Sequence, residues 1–442
     1  MAIKNKNQVI LCASYVLPVS SSPIKEGAVV IEGDSIKALG HSSVIKKKYP
    51  KIPVRSFPDS ILMPGLINCH VHLEYSASGP LLKQTNFIDW IKDLIHKQKI
   101  LSEKKINLSI KKTLDEIISS GTTAVGEVSR SGKSLSELKK SGLKGVFYSE
   151  FVAVDDKRMK KAICGFEADF RKTKIKIAES NLKIGVFPHS VYTLSGNSLK
   201  YISSFFKKNG IRCGMHAAEC PQENDFISRG SGQLAEFIRS FNLEIVPLPG
   251  KWHDTSAYLK DVKLLNPLTQ LVHCVHLQEK DFQVLEKTKT SLVACPRSNY
   301  LLKNGEFPAH LALKYKLKIG IGTDSLASNY SMDMFEEMRL LNDIINKNKF
   351  IKNFNKKLIY EKLIRIATLG GAEVLGIENE TGSLIEGKKA DLIVVNINDN
   401  KKMFSPLEYI ISEAAGGDVC FSMINGLIKY DRVKNMAKAG LF

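Results

Sequence analysis

The sequence predicts a (β/α)8 barrel joined to a small β-sandwich domain that the two chain ends build together. Three observations carry this reading. Eight short apolar strand candidates alternate with segments of helical apolar spacing between residues 62 and 379. Both ends, 1–61 and 380–442, read instead as strands and turns. Residues able to bind metal or move protons recur where the barrel strands finish, the end at which such barrels keep their reactive groups.

Taken in order, Val9-Ile10-Leu11-Cys12-Ala13 opens the chain as a strand. Behind Lys4 and Lys6 it imitates a signal peptide, but residues 27–34 follow as its pairing partner beyond a Ser-Ser-Ser-Pro turn. Residues 35–40 and 53–58 are further strand-like pieces, the second leading into the run that ends at His70-Val71-His72. The remaining barrel strands are expected at 122–127, 145–150, 184–189, 212–216, 271–274, 291–295 and 318–324. Segments 108–120 and 199–209 carry helical spacing between them. The longest connection, 220–266, contains a helix-like piece at 234–241 and begins at the barrel mouth. Loops of this length are usually lids or binding elements. Arg229, Arg239, Trp252 and His253 would let it stack on a ring or pair with a carboxylate, and the alternative is packing against a second subunit in a homodimer. Near the C-terminus, 382–387, 390–395, 419–424 and 427–430 read as strands, the last two joined by an Asn425-Gly426 turn.

Composition narrows the function classes. Hydrophobic residues at 43% and charged residues at 25% are ordinary for a globular protein. No apolar stretch reaches transmembrane length, so no membrane partner is expected. Eight cysteines lack paired spacing, which fits reduced thiols and a cytoplasmic location. The net charge of +19 raises nucleic-acid binding. Yet Lys104, Lys105, Lys111, Lys112, Lys139, Lys140, Lys207 and Lys208 spread over helix exteriors rather than gathering with aromatics, so the expected partner is a small-molecule substrate.

Alternation along a strand turns His70 and His72 to one face, where two imidazoles can grip one metal ion. His189, His216, His273 and Asp324 close further strands, and in a barrel all would converge on one cavity. Imidazoles joined by a carboxylate suit Zn2+ or Fe2+ and leave room for a water. Glu219, in His216-Ala217-Ala218-Glu219, reaches the same cavity as a candidate general acid/base.

Four separated segments, Pro64-Gly65-Leu66-Ile67-Asn68-Cys69-His70-Val71-His72, His216-Ala217-Ala218-Glu219, His273-Cys274-Val275-His276 and Gly322-Thr323-Asp324-Ser325-Leu326-Ala327-Ser328-Asn329, resemble in this order the signatures of the amidohydrolase superfamily. Residues 382–392 resemble its C-terminal β-domain signature, so the resemblance spans nearly the whole chain. It is greatest to the branch of mononuclear-metal deaminases and chlorohydrolases, which holds S-adenosylhomocysteine, guanine and aminofutalosine deaminases and triazine hydrolases. The resemblance implies His70, His72, His216 and Asp324 as metal ligands, Glu219 as proton shuttle and His273 as a polariser. Asp324 would also pass on a proton. His276 matches no catalytic position. His189 stands where binuclear relatives carry a carboxylated lysine, which implies one divalent ion, Zn2+ first and Fe2+ second. Trp90, His189 and Ser328 match positions that contact substrate. The implied activity is hydrolytic deamination of an aminopurine nucleoside. Cys295-Pro296-Arg297-Ser298-Asn299 and the long loop after His216 resemble aminofutalosine deaminases of the menaquinone pathway, making 6-amino-6-deoxyfutalosine the first expectation. Deamination of S-adenosylhomocysteine, adenosine or guanine, or dechlorination on the same scaffold, is the alternative.

Overall fold

The computed structural model describes residues 8–81, 86–243, 254–348, 355–398 and 405–433. Four strands come first: β1 (Gln8–Val16), β2 (Ile24–Glu32), β3 (Ser35–His41) and β4 (Val54–Pro64). Eight follow: β5 (Leu66–Val71), β6 (Thr122–Ser129), β7 (Lys144–Phe151), β8 (Leu182–Pro188), β9 (Arg212–Ala217), β10 (Thr269–His273), β11 (Ser291–Ala294) and β12 (Ile319–Ile321). The last three are β13 (Leu392–Asn396), β14 (Val419–Ile424) and β15 (Leu427–Asp431).

Strands β5 to β12 close a parallel barrel in chain order, β12 pairing back onto β5. Their near-continuous apolar runs follow from burial on both faces, helices outside and packed side chains inside. Ile67, Cys69, Val146, Tyr148 and Phe187 fill the interior and pack on Ala372, Val374 and Leu375 of the short helix Gly371–Leu375. That helix seals the end where the strands begin, leaving the opposite end open for chemistry. Strict alternation along β5 would have sent Cys69 away from the interior. Instead the pairing register slips between Asn68 and Val71, so Cys69 stays within the interior cluster while His70 still turns inward.

The chain ends form one seven-stranded mixed sheet, ordered β15-β14-β13-β4-β1-β2-β3, which is how the expected sandwich domain is realised. Its seam is β4, parallel to β1 on one side and antiparallel to β13 on the other. Residues 382–387 correct the sequence reading: they form no strand. Gly382 and Gly387 take φ of +85° and +88°, which breaks the extended backbone at both ends of the segment. A buried ion pair, Lys144 Nζ to Asp391 Oδ2 at 2.7 Å, joins β7 to the residue before β13. The long connection after β9 is built from helices Pro221–Arg229, Gln233–Arg239 and Thr255–Asp261. No helix among the described residues is long and apolar enough to cross a membrane.

Candidate active site and metal centre

The open end of the barrel gathers the histidines. β5 and the residue after it present His70 and His72, β9 presents His216, and the loop after β12 presents Asp324. His216 Nε2 lies 3.2 Å from His70 Nε2 and 3.3 Å from His72 Nε2. Asp324 Oδ1 stands 3.7 Å and 3.9 Å from the same two histidine atoms, His70 Nε2 and His72 Nε2. Four donors arranged tetrahedrally at zinc bond lengths are about 3.3 Å apart, so this set fits one ion. Burial first, then the neighbouring imidazoles, hold His72 and His216 well below the ordinary histidine pKa, so both present lone pairs at neutral pH. Burial alone would raise Asp324, but the adjacent His70 imidazole and the fields of His273 and His72 bring its carboxyl far below the usual carboxylate range.

Local backbone makes this approach feasible. A Cβ on Gly322 would fall 2.7 Å from the His70 Cβ, so only glycine lets the end of β12 pass the histidine strand this closely. Asp324 adopts φ +58°, with its N–H donating to the His70 carbonyl at 3.1 Å. Its outer oxygen, Oδ2, accepts from Ser328 Oγ at 2.6 Å and Ser298 Oγ at 2.7 Å, which leaves Oδ1 aimed at the histidines.

Glu219 is buried beside this cluster, Oε1 3.7 Å from His273 Nε2 and 3.4 Å from the donating Asn304 Nδ2. Burial, reinforced by Asp324 and Glu223, pushes its carboxyl well above the ordinary range. Its aim is set by Glu223, whose carboxylate accepts from the Ala218 N–H at 2.7 Å, the Glu219 N–H at 3.3 Å and Thr255 Oγ1 at 3.1 Å. Those bonds hold the turn in which Ala218 takes φ +50°. His273 donates from Nδ1 to Asn299 Oδ1 at 2.8 Å, so its Nε2 faces the cluster as an acceptor, and burial takes its pKa down to about 4. His276 faces away, bound through Nε2 to the Asn304 carbonyl.

A cavity of about 570 Å³ opens over the cluster, with His72, His216, Glu219, His273 and Asp324 on its floor. Trp90 lines it while donating Nε1–H to the Ala327 carbonyl at 3.2 Å. His189 lines it too, its ring 4.9 Å from that of His216 and its Nδ1 within 3.0 Å of Ser190 Oγ and Thr193 Oγ1. Ser328 does not line the cavity; the neighbouring position that does is Ser325. From the long connection come Phe237, Ile238, Phe241 and Leu243, not the cations. Arg229 pairs with Asp225 and Arg239 donates to the Gly230 carbonyl, while Trp252 and His253 lie outside the described residues. The cations that do line the cavity are Arg130 and Arg158, joined by Tyr75 and Glu150. Sequence reading missed these four and Glu223. Only the Ser298-Asn299 pair gave a signal, through its place at a strand end.

The family model described as "Amidohydrolase family" matches residues 61–429. An aminodeoxyfutalosine deaminase of Nitratiruptor sp. is 31% identical over 374 residues, covering 85% of this chain and 88% of that protein. A 5-methylthioadenosine/S-adenosylhomocysteine deaminase of Caldanaerobacter subterraneus subsp. tengcongensis is 28% identical over 440 residues, covering 97% and 92%. Among solved structures, an adenosine deaminase from Xanthomonas campestris with bound zinc superposes with a TM-score of 0.82 at 21% identity, covering 98% of this chain and 97% of that one.

Proposed function

This chain belongs to the amidohydrolase family, and from that membership and the strand-end cluster we propose a metal-dependent hydrolytic deaminase of an adenine-type nucleoside. The reaction class is hydrolysis at a carbon–nitrogen bond. In this reading His70, His72, His216 and Asp324 hold one divalent ion, zinc before iron. Bound there, the ion supplies a water activated at neutral pH. The observation that carries the proposal is the convergence of His72, His216, Asp324, Glu219 and His273 at one cavity floor, with His70 Nε2 3.2 Å from His216 Nε2 beneath it.

The chain's own residues then divide the proton work. Glu219, whose carboxyl burial favours in the protonated form, donates to the ring nitrogen beside the amine-bearing carbon. His273, locked by Asn299, accepts a hydrogen bond at Nε2 from the attacking water and fixes its approach. Asp324 Oδ1 and Glu219 take up the water's protons and return one to the departing amine, so that water and aminopurine become oxopurine and ammonia. Trp90, His189 and the Phe237–Phe241 wall exclude bulk water from the purine.

The best single substrate is 6-amino-6-deoxyfutalosine, an intermediate of menaquinone formation. The 31% identical relative with that activity in its name supports this, as does a cavity with both apolar walls and arginines. The test is ammonia release from a panel of 6-amino-6-deoxyfutalosine, 5′-deoxyadenosine, S-adenosylhomocysteine, adenosine, guanine and a chlorotriazine. Turnover confined to guanine or the triazine would refute the nucleoside reading.

A further inference from the structure

The helix Met334–Lys347, which follows β12, buries Glu337 completely, outside the lining of the catalytic cavity. The two carboxylate oxygens of Glu337 reach two different turns. Oε2 accepts the Arg297 N–H at 3.0 Å, and Oε1 accepts from Asn329 Nδ2 at 2.8 Å. The adjacent Glu336 grips the Arg297 guanidinium and accepts from Ser331 Oγ at 2.8 Å, so helix and turn are joined twice.

Each of these turns serves the cavity floor. Directly after Arg297 come Ser298, which donates to Asp324 Oδ2, and Asn299, which accepts from His273 Nδ1. Directly before Asn329 comes Ser328, the second donor to Asp324 Oδ2. Asn329 Nδ2 also donates to the Thr323 carbonyl at 2.9 Å, while its Oδ1 accepts the Tyr330 N–H at 2.8 Å. Asn329 thereby fixes the peptide group that enters Asp324, whose left-handed φ of +58° is uncommon outside glycine. Ser298, Asn299, Thr323, Ser328 and Asn329 are all buried, and none of them lines the cavity, so these bonds run between protein groups and not to substrate. The aim of Asp324 depends on both turns staying in place. Ser328 Oγ has an alternative acceptor in the Ser325 carbonyl at 3.2 Å, and a carboxylate whose Oδ2 is released can rotate Oδ1 away from the histidines.

We propose that Glu337 is a positioning residue for the metal centre, holding through Arg297 and Asn329 the two turns that orient Asp324 and His273. The proposal rests on the metal-dependent reading, and its main readouts need no substrate. Glu337→Gln keeps the shape but offers one acceptor to two donors, so one of the two turns is released. Zinc affinity is measured by competition with a chromophoric chelator at pH 8, above the value of about 7 to which burial raises Glu337. The variant should bind zinc about 10–100-fold more weakly, and its cobalt-substituted form should show an altered visible spectrum. At saturating zinc, kcat for 5′-deoxyadenosine should fall about tenfold or more with KM held. Lys144→Met is the comparison for a structural loss alone, and should lower stability with zinc affinity and cobalt spectrum unmoved. Adding Glu337→Gln to Ser298→Ala with Ser328→Ala should cost little further zinc affinity, because the same restraint is already gone. If Glu337→Gln does not fold, Asn329→Ala breaks the link from the other side and should weaken zinc and alter the cobalt spectrum likewise. Wild-type zinc affinity and cobalt spectrum in the folded variant overturn the proposal and leave the metal reading intact, as does a full additive loss in the serine background. A wild type that takes up no ion overturns both.

Discussion

Replacing Glu223 with glutamine tests how the acid/base is aimed. The side chain is fully buried and accepts three hydrogen bonds, two of them from the backbone N–H groups of Ala218 and Glu219. A carboxamide offers one oxygen where two are used, so one of its N–H groups must face a donor. An unsatisfied buried donor costs about 1–3 kcal/mol. The same substitution removes a titration. Burial raises Glu223 from the ordinary 4.5 to about 7, so the folded protein binds more protons than the unfolded chain between those values. The favourable contribution is complete below 4.5 and is lost as pH climbs through about 7, a change of about 3 kcal/mol at 1.36 kcal/mol per tenfold. Urea denaturation of the wild type from pH 5 to pH 8 should therefore show falling stability from this group, and Glu223→Gln should flatten that slope while lowering stability at pH 5. Steady-state kinetics should show kcat reduced roughly 10–100-fold with KM and metal content held, because Glu219 loses its aim rather than its acid. Wild-type kcat together with an unchanged pH slope would refute the reasoning.

The metal-centre assignment predicts about one divalent ion per chain by elemental analysis, lost in Asp324→Ala and His216→Ala. Two ions per chain, or activity that survives exhaustive chelation, would exclude it. Glu219→Gln should keep its ion while kcat drops by about 10²–10⁴-fold, and loss of the ion instead would make Glu219 a ligand. Phe241→Ser, on the wall supplied by the long connection, should raise KM for a nucleoside several-fold with little change in metal content; unaltered KM would remove that wall from substrate binding. Lys144→Met leaves Asp391 buried and unpaired, so thermal unfolding should reveal a loss of about 3–5 kcal/mol, whereas a change under 1 kcal/mol would show the pair to be dispensable.

The parts of this protein that could be read from sequence share a physical trait: each is stated within a few consecutive residues. The barrel strands are apolar runs because parallel strands are covered on both faces. The metal cluster stands out because His70-Val71-His72, His216 and Asp324 end such runs. What escaped notice depends on chain segments meeting from afar. Glu223 matters because a helical turn brings it back under Ala218 and Glu219, and nothing in the letter E at that position says so. Arg130 looks like one more surface cation until Glu74, 56 residues earlier, is seen to fix its loop. Ser328 illustrates the converse. Its position marked it as part of the site, but its hydroxyl turns to Asp324 and Ser325 takes the place on the cavity wall. Residues 382–387 carry a strand-like composition that two left-handed glycines cancel.

The sheet built from both chain ends has a consequence for synthesis on the ribosome. β4 emerges early with Ile61, Leu62 and Met63 facing a neighbour that does not yet exist, because β13 follows about 330 residues later. At ordinary elongation rates the nascent chain waits on the order of tens of seconds with that apolar edge unpaired. The barrel can close meanwhile, since each of its strands pairs with the one just made, but the sheet cannot. A translation stop between β12 and β13 would thus release a complete set of barrel strands tethered to an open strand edge, a species prone to pair with copies of itself. Messages truncated in that interval should yield aggregates rather than a smaller working enzyme.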